Sequence, residues 1–126
     1  MNPASSPSKL VDVEGLAQAL KAFADERDWE QFHSPKNLAM ALTAEVGELV
    51  EVFQWMTEKQ SRSATSDPKV AQSLKEELAD VLLYLVRLSS VLGVDLDAAA
   101  RAKLESNALK YPADKARGRS SKYTDL

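Results

Sequence analysis

The sequence predicts an all-α fold, a four- to five-helix bundle assembled as an oligomer. Three observations carry that expectation. Apolar residues recur at alternating steps of three and four through most of the chain, no stretch alternates with the period of a strand, and Asp-Pro, Gly and Pro stand where helices should start and stop.

Residues 1–10 are rich in Pro and Ser and are expected to form a mobile arm before a helical domain over 11–112, with 113–126 as a polar tail. Val13, Leu16, Leu20 and Phe23 mark an amphipathic first helix running to about Asp28, with Asp12 as its candidate cap. Pro35 enforces an extended step before the second helix, which starts at Ser34 or Pro35 and is expected to end by about Lys59. QSRSATSDP then reads as a polar linker. Asp67 and Pro68 supply an N-cap and a first-turn proline for a third helix that Gly93 ends. Asp95 or Asp97 caps a fourth helix, closed by Pro112.

Between Leu78 and Leu92 only Asp80, Arg87, Ser89 and Ser90 are strongly polar. A helix apolar nearly all round must be covered on most sides, and one small bundle covers few of them, so an assembly built around this helix is expected.

The second helix puts carboxylates where aliphatic side chains belong. Leu38, Leu42, Glu45, Leu49, Val52 and Met56 form one buried-type stripe, and Glu48 lies three residues beyond Glu45 on a neighbouring point of the same face. The third helix repeats the spacing with Glu77 and Asp80. Isolated pairs of this kind are common on solvated helices, but here both sit on apolar stripes. An ionised carboxylate out of water needs a cationic partner or a shifted pKa. Four converging carboxylates suit Mg²⁺, a hard cation that takes oxygen ligands and is completed by waters and substrate phosphates. Glu48 is the candidate proton acceptor for an activated water.

Lys103, Asn107 and Lys110 are spaced by four and three on one face of the fourth helix, near an end that favours cations. Trp29, Trp55 and Tyr84 offer flat surfaces on which a base can stack. Tryptophans are also common core anchors and lysines common surface residues.

A formal net charge of -3 gives no broad attraction to nucleic acid polymers or anionic membranes. The absence of cysteine removes disulfides, thiolate metal sites and cysteine nucleophiles. MNPASSPSKL lacks the apolar core of a secretory signal, and the run Val81 to Val86 is too short to span a bilayer, so a cytoplasmic location is expected.

The residues EVGELVEVFQW around Glu45 and Glu48, and EELADVLLYLV around Glu77 and Asp80, resemble the MazG-like all-α nucleoside triphosphate pyrophosphohydrolases. WEQFHSPKNL, the KYP at Lys110 to Pro112 and RSSKYTDL are similar to the dCTP pyrophosphatase branch, and the resemblance covers roughly residues 10–126. It implies Mg²⁺-dependent hydrolysis of a deoxynucleoside triphosphate, dCTP or a modified dCTP, to the monophosphate and pyrophosphate. It also implies metal ligation by Glu45, Glu48, Glu77 and Asp80, phosphate and sugar contacts from Lys103, Asn107 and Lys110, and a base pocket drawing on His33, Trp29, Trp55 and Tyr84. The assembly it implies is a homotetramer, a dimer of dimers. The residues alone leave open a dUTP-directed pocket or a non-catalytic helical adaptor. A di-iron carboxylate bundle would need Glu-x-x-His pairs, and the single His33 lies in none.

Overall fold

The computed structural model describes residues 8–126, and the described residues are helical, without strands. They divide into two compact units: Val13–Val94, and residues 8–12 with Asp95–Leu126.

In the larger unit, α1 spans Glu14–Glu26, α2 Pro35–Phe53, α3 Glu58–Arg62 and α4 Pro68–Leu92. Val13, with no side-chain hydrogen bond, occupies the N-cap of α1, so Asp12 does not cap the helix as expected. The helix also stops short of Asp28, because Asp28 takes a left-handed backbone, φ 54°. Trp29 N–H then bonds to Ala24 O at 2.9 Å, and Asp28 N–H to Asp25 O at 3.2 Å. That pair of bonds is a Schellman motif, built here on Asp where Gly is usual. It carries the expected apolar contact: the rings of Trp29 and Phe23 meet edge to face with centroids 5.7 Å apart.

After one 3-10 turn at Glu30–Phe32, Ser34 caps α2 by accepting from Asn37 N–H at 3.1 Å, with Pro35 in the first turn as expected. The helix ends at Phe53, earlier than the sequence pattern suggests, and Met56 lies beyond it. The reason is a second start signal. Thr57 and Gln60 form a capping box, Thr57 Oγ1 accepting from Gln60 N–H at 3.1 Å and Gln60 Oε1 from Thr57 N–H at 2.9 Å. The segment expected as a polar linker is therefore α3 followed by a 3-10 turn at Ala64–Ser66, and Ala64 is buried.

Asp67 and Pro68 start the 25-residue α4, and Gly93 at φ 70° ends it, both as expected. Near the start of α2, Leu38 shares a cavity wall with Leu83 and Tyr84 of α4; near its end, Leu49 and Phe53 share another with Ala71, Leu74 and Leu78. The two helices thus run antiparallel, and α1 packs on α4 beside them. Leu38 and Val86 are the largest side chains sealed from solvent. Within one chain, Leu78, Leu82, Leu85 and Leu92 of α4 remain exposed.

In the smaller unit, Asp95 rather than Asp97 caps α5, Leu96–Lys110. Asp97 instead accepts from the backbone N–H groups of Leu10 and Val11, which depresses its pKa. Of the expected N-terminal arm, residues 1–7 lie outside the described residues, and Leu10 is held by this contact. The tail forms a short helix α6, Ala113–Ala116, and a 3-10 turn at Tyr123–Asp125. Tyr123 meets Tyr111 edge to face at 6.2 Å, with Lys110 Nζ 5.2 Å from the Tyr123 ring centre. No helix among the described residues is long and apolar enough to cross a membrane.

The left-handed Asp28 generates a stability prediction. An L-residue in that conformation costs roughly 1–2 kcal/mol that glycine avoids, partly offset by glycine's larger chain entropy. In thermal melts Asp28→Gly should match or exceed the parent, and Asp28→Ala should fall below it. An alanine variant as stable as the parent would rule out the left-handed turn as the device that places Trp29.

Candidate metal and nucleotide site

Where α2 crosses α4, Glu45, Glu48 and Glu77 each bring a carboxylate oxygen within 4.8 Å of the others. Antiparallel packing produces this meeting, because each pair sits on the stripe its helix turns toward the other. Glu45 and Glu77 are half-buried and Glu48 is exposed. Burial pushes the Glu45 carboxyl up to about 7, and the nearby Glu48, Asp80 and Glu77 push the same way. Burial also raises the Glu77 carboxyl, with Glu48 and Asp80 adding to it. One oxygen of each, Oε2 of Glu45 and Oε2 of Glu77, is sealed from solvent with no hydrogen-bond partner.

Orphaned carboxylate oxygens in a converging all-oxygen set are what a hard divalent cation would satisfy. The donor chemistry therefore fits Mg²⁺. Asp80, the expected fourth ligand, stands outside this group of three. It lies one turn beyond Glu77 and lines a neighbouring cavity.

That cavity has a volume of about 160 Å³ and is walled by Leu20, Phe23, Trp29, His33, Leu38, Asp80, Leu83, Tyr84 and Arg87. It is smaller than the ~300–1,000 Å³ that encloses a drug-sized ligand, so it suits one flat ring with the rest of a molecule outside. The structure thus brings Trp29, His33 and Tyr84 together, as expected. Trp29 and His33 meet edge to face with centroids 6.4 Å apart. Trp55 does not join them. It lies in the turn after α2, is 88% exposed, and does not line this cavity. Lys103, Asn107 and Lys110 lie on α5 in the smaller unit, the lysines exposed and Asn107 half-buried.

One lining residue escaped the sequence reading. Arg87 is 5% exposed, and its Nε–H donates to His33 Nδ1 at 3.0 Å. A buried cation beside a histidine disfavours imidazolium. Burial first, then the Arg87 charge, lower the His33 pKa. The available signal was spacing: Asp80, Tyr84 and Arg87 follow one another by four and three, on one face of the helix.

Comparison with known proteins bears on the same residues. The MazG-like family model matches residues 40–126, which include all four carboxylates. The chain belongs to the MazG-like family. This MazG-like chain is 47% identical over 114 residues to dCTP pyrophosphatase 1 of Homo sapiens, covering 90% of its own length and 67% of that protein. It is 46% identical over 114 residues to dCTP pyrophosphatase 1 of Rattus norvegicus, with the same coverage. Among solved structures, a pyrophosphatase from Archaeoglobus fulgidus DSM 4304 superposes with a TM-score of 0.70 at 35% identity, over 86% of this chain and 99% of that one.

The raised carboxyl has a consequence for the metal-free protein. Glu45 titrates near 4.5 when unfolded and about 7 when folded, so between those values the fold holds a proton the unfolded chain has released. Its contribution to stability is full below about 4.5 and is lost as pH rises through about 7. His33, lowered from 6.5, pulls oppositely, stability growing as pH rises toward that value. The difference between parent and Glu45→Gln separates the two effects. In EDTA the two should melt alike near pH 4.5, with the variant higher by a few degrees near pH 7.5. A constant difference across that range would show Glu45 to be an ordinary solvated carboxylate.

Proposed function

We propose that the protein is a Mg²⁺-dependent pyrophosphohydrolase that converts dCTP, or a dCTP modified on its base, to the monophosphate and pyrophosphate. One observation carries the reading: a carboxylate cluster with unpartnered buried oxygens and an aromatic cavity sized for one ring adjoin through a single turn of α4, from Glu77 to Asp80. The dCTP pyrophosphatase relatives at 46–47% identity support the choice of nucleotide.

In this reading Glu45, Glu48 and Glu77 hold the metal, with Asp80 completing the set from the cavity wall. When bound, Mg²⁺ neutralises phosphate charge and lowers the pKa of a coordinated water. The chain's own residues do the rest. Trp29, Tyr84 and His33 receive the base, and Asp80 marks the border between base and phosphates. Glu48, exposed at the rim of the cluster, accepts a proton from the attacking water as the bond between the α- and β-phosphates breaks. Lys103, Asn107 and Lys110 contact phosphate and sugar, and Trp55 adds a stacking surface. The enzyme acts on free nucleotides in the cytoplasm as a homotetramer, and the exposed Leu78, Leu82 and Leu85 of α4 support such an assembly.

A nucleotide panel with product identification tests the activity. With Mg²⁺ present, dCTP should give dCMP and pyrophosphate in preference to the other standard deoxynucleotides, and Glu48→Gln should lose about 10²–10⁴-fold in rate. Release of orthophosphate with dCDP, or a preference for a purine nucleotide, would defeat the proposal; a preference for dUTP would redirect it. For the assembly, light scattering should report a species larger than one chain at micromolar concentration, and Leu85→Glu should weaken it. A monodisperse monomer would exclude it.

A further inference from the structure

Arg87 stands apart from the carboxylate chemistry. It is a cation within the largely apolar stretch of α4 from Leu78 to Leu92, 5% exposed, and none of the described ion pairs involves it. Burying a charge is costly; the Arg87 charge is felt by Asp25, whose pKa it helps to lower, but its one described hydrogen bond is from Nε–H to His33 Nδ1 at 3.0 Å. An imidazole nitrogen that accepts a hydrogen bond carries no proton. If His33 is neutral, its single N–H is then at Nε2. Imidazolium is excluded by the same contact, since it would set an N–H against an N–H and place two cations side by side. Both residues line the aromatic cavity together with Trp29 and Tyr84.

We propose that Arg87 is a positioning residue for base recognition: it fixes His33 as the neutral tautomer protonated at Nε2, so that the cavity offers the base one hydrogen-bond donor and no acceptor from this ring. The proposal rests on the reading of this cavity as the base site. Its chemical consequence is selective. A fixed donor accepts a base edge that presents a carbonyl oxygen or an unprotonated ring nitrogen, as cytosine does at O2 and N3. It opposes an edge that presents its own N–H at the same place. A histidine free to exchange tautomers would adapt to either edge and select against neither.

The placement of His33 agrees with that role. Two contacts hold the ring, the Arg87 bond and the edge-to-face contact with Trp29, and the backbone is fixed beneath it by the bond from His33 N–H to Glu30 O at 3.1 Å. Trp29 is itself set by the left-handed turn at Asp28. A residue needed only to fill space would not require a buried guanidinium to define the position of one proton.

His33 is the single histidine of the chain, so imidazole nitrogen resonances need no assignment. In ¹⁵N–¹H long-range spectra of the intact protein near pH 8, the parent should show the Nε2–H tautomer alone. Arg87→Met, which keeps apolar length and removes the donor, should show the average of two exchanging tautomers. Arg87→Lys, which keeps a donor and a charge, should recover the parent pattern in part and guards against a folding defect in the methionine variant. Steady-state kinetics supply the second readout. Arg87→Met should raise KM for dCTP about tenfold with kcat within about twofold, and should narrow the preference for dCTP over dUTP. In a His33→Phe background the same substitution should add little, because its effect passes through His33.

An unchanged tautomer in Arg87→Met, or an equal loss from Arg87→Met with and without His33, would overturn the proposal. Trp29→Ala separates the two levels of failure. If it raises KM while Arg87→Met does not, the cavity binds the base and Arg87 plays no part. If neither moves KM, the base binds elsewhere and the underlying reading fails with the proposal.

Discussion

Burial of carboxylates beside one another, where α2 packs against α4, is the constraint on which the remainder of the structure depends. Leu38 lies to one side of the cluster along α2, and Leu49 to the other, each sharing a wall with apolar residues of α4. Fully burying such side chains contributes about 1.5–3 kcal/mol each, enough to hold the helices together around a charged centre. Because helical spacing is fixed, Glu45 and Glu77 cannot withdraw without unpacking their neighbours. Burial therefore shows as raised pKa values and as oxygens without partners. Without a cation such an interface is protonated or strained, and a divalent cation would relieve both conditions.

α4 then links charge chemistry to base recognition. Glu77, Asp80, Tyr84 and Arg87 follow by three, four and three along one face, so one turn of rigid helix joins the cluster to the near wall of the cavity at Asp80, and about three turns, or ~15 Å, reach its far wall at Arg87. The opposite wall of the cavity comes from a less regular segment. Asp28, Trp29, the 3-10 turn and the Ser34 cap fix the path from α1 into α2 without a long loop, and this path orients Trp29 and His33. Regular structure supplies the ruler, and local backbone chemistry supplies the aim.

What could be read in the sequence follows the same division. Glu45, Glu48, Glu77 and Asp80 stood out because charge on an apolar stripe violates a strong periodic pattern. Ser34 with Pro35, Asp67 with Pro68, and Gly93 were legible because each is a residue type with one strong positional use. The turn at Asp28 was hidden, since Asp in a left-handed conformation looks in sequence like any polar helix residue. Thr57 and Gln60 carried a capping box, but the preceding apolar pattern ran on through Met56 and masked it. Trp55 was grouped with the cavity aromatics by the family resemblance and by residue type, neither of which encodes side-chain direction, and within one chain it is 88% exposed and does not line the cavity. Arg87 was visible as a polar interruption of α4, yet its role needed His33, 54 positions away, which only folding brings into contact.

Within the proposed function, the two halves of the site answer different demands. Carboxylates and a cation act on features that every nucleoside triphosphate shares, so the cluster can tell a triphosphate from a monophosphate but not cytosine from uracil. Base choice must come from the cavity, where hydrophobic walls alone discriminate weakly and a fixed hydrogen-bond donor discriminates more strongly, because a mismatch leaves a polar group unpaired. Asp80 belongs to both halves: its charge raises Glu45 and Glu77, and its side chain lines the cavity. A base seated against Asp80 therefore lies beside the group whose field acts on the cluster. Correct seating and productive placement of the phosphates are coupled through one short side chain on a rigid helix, with no moving lid required.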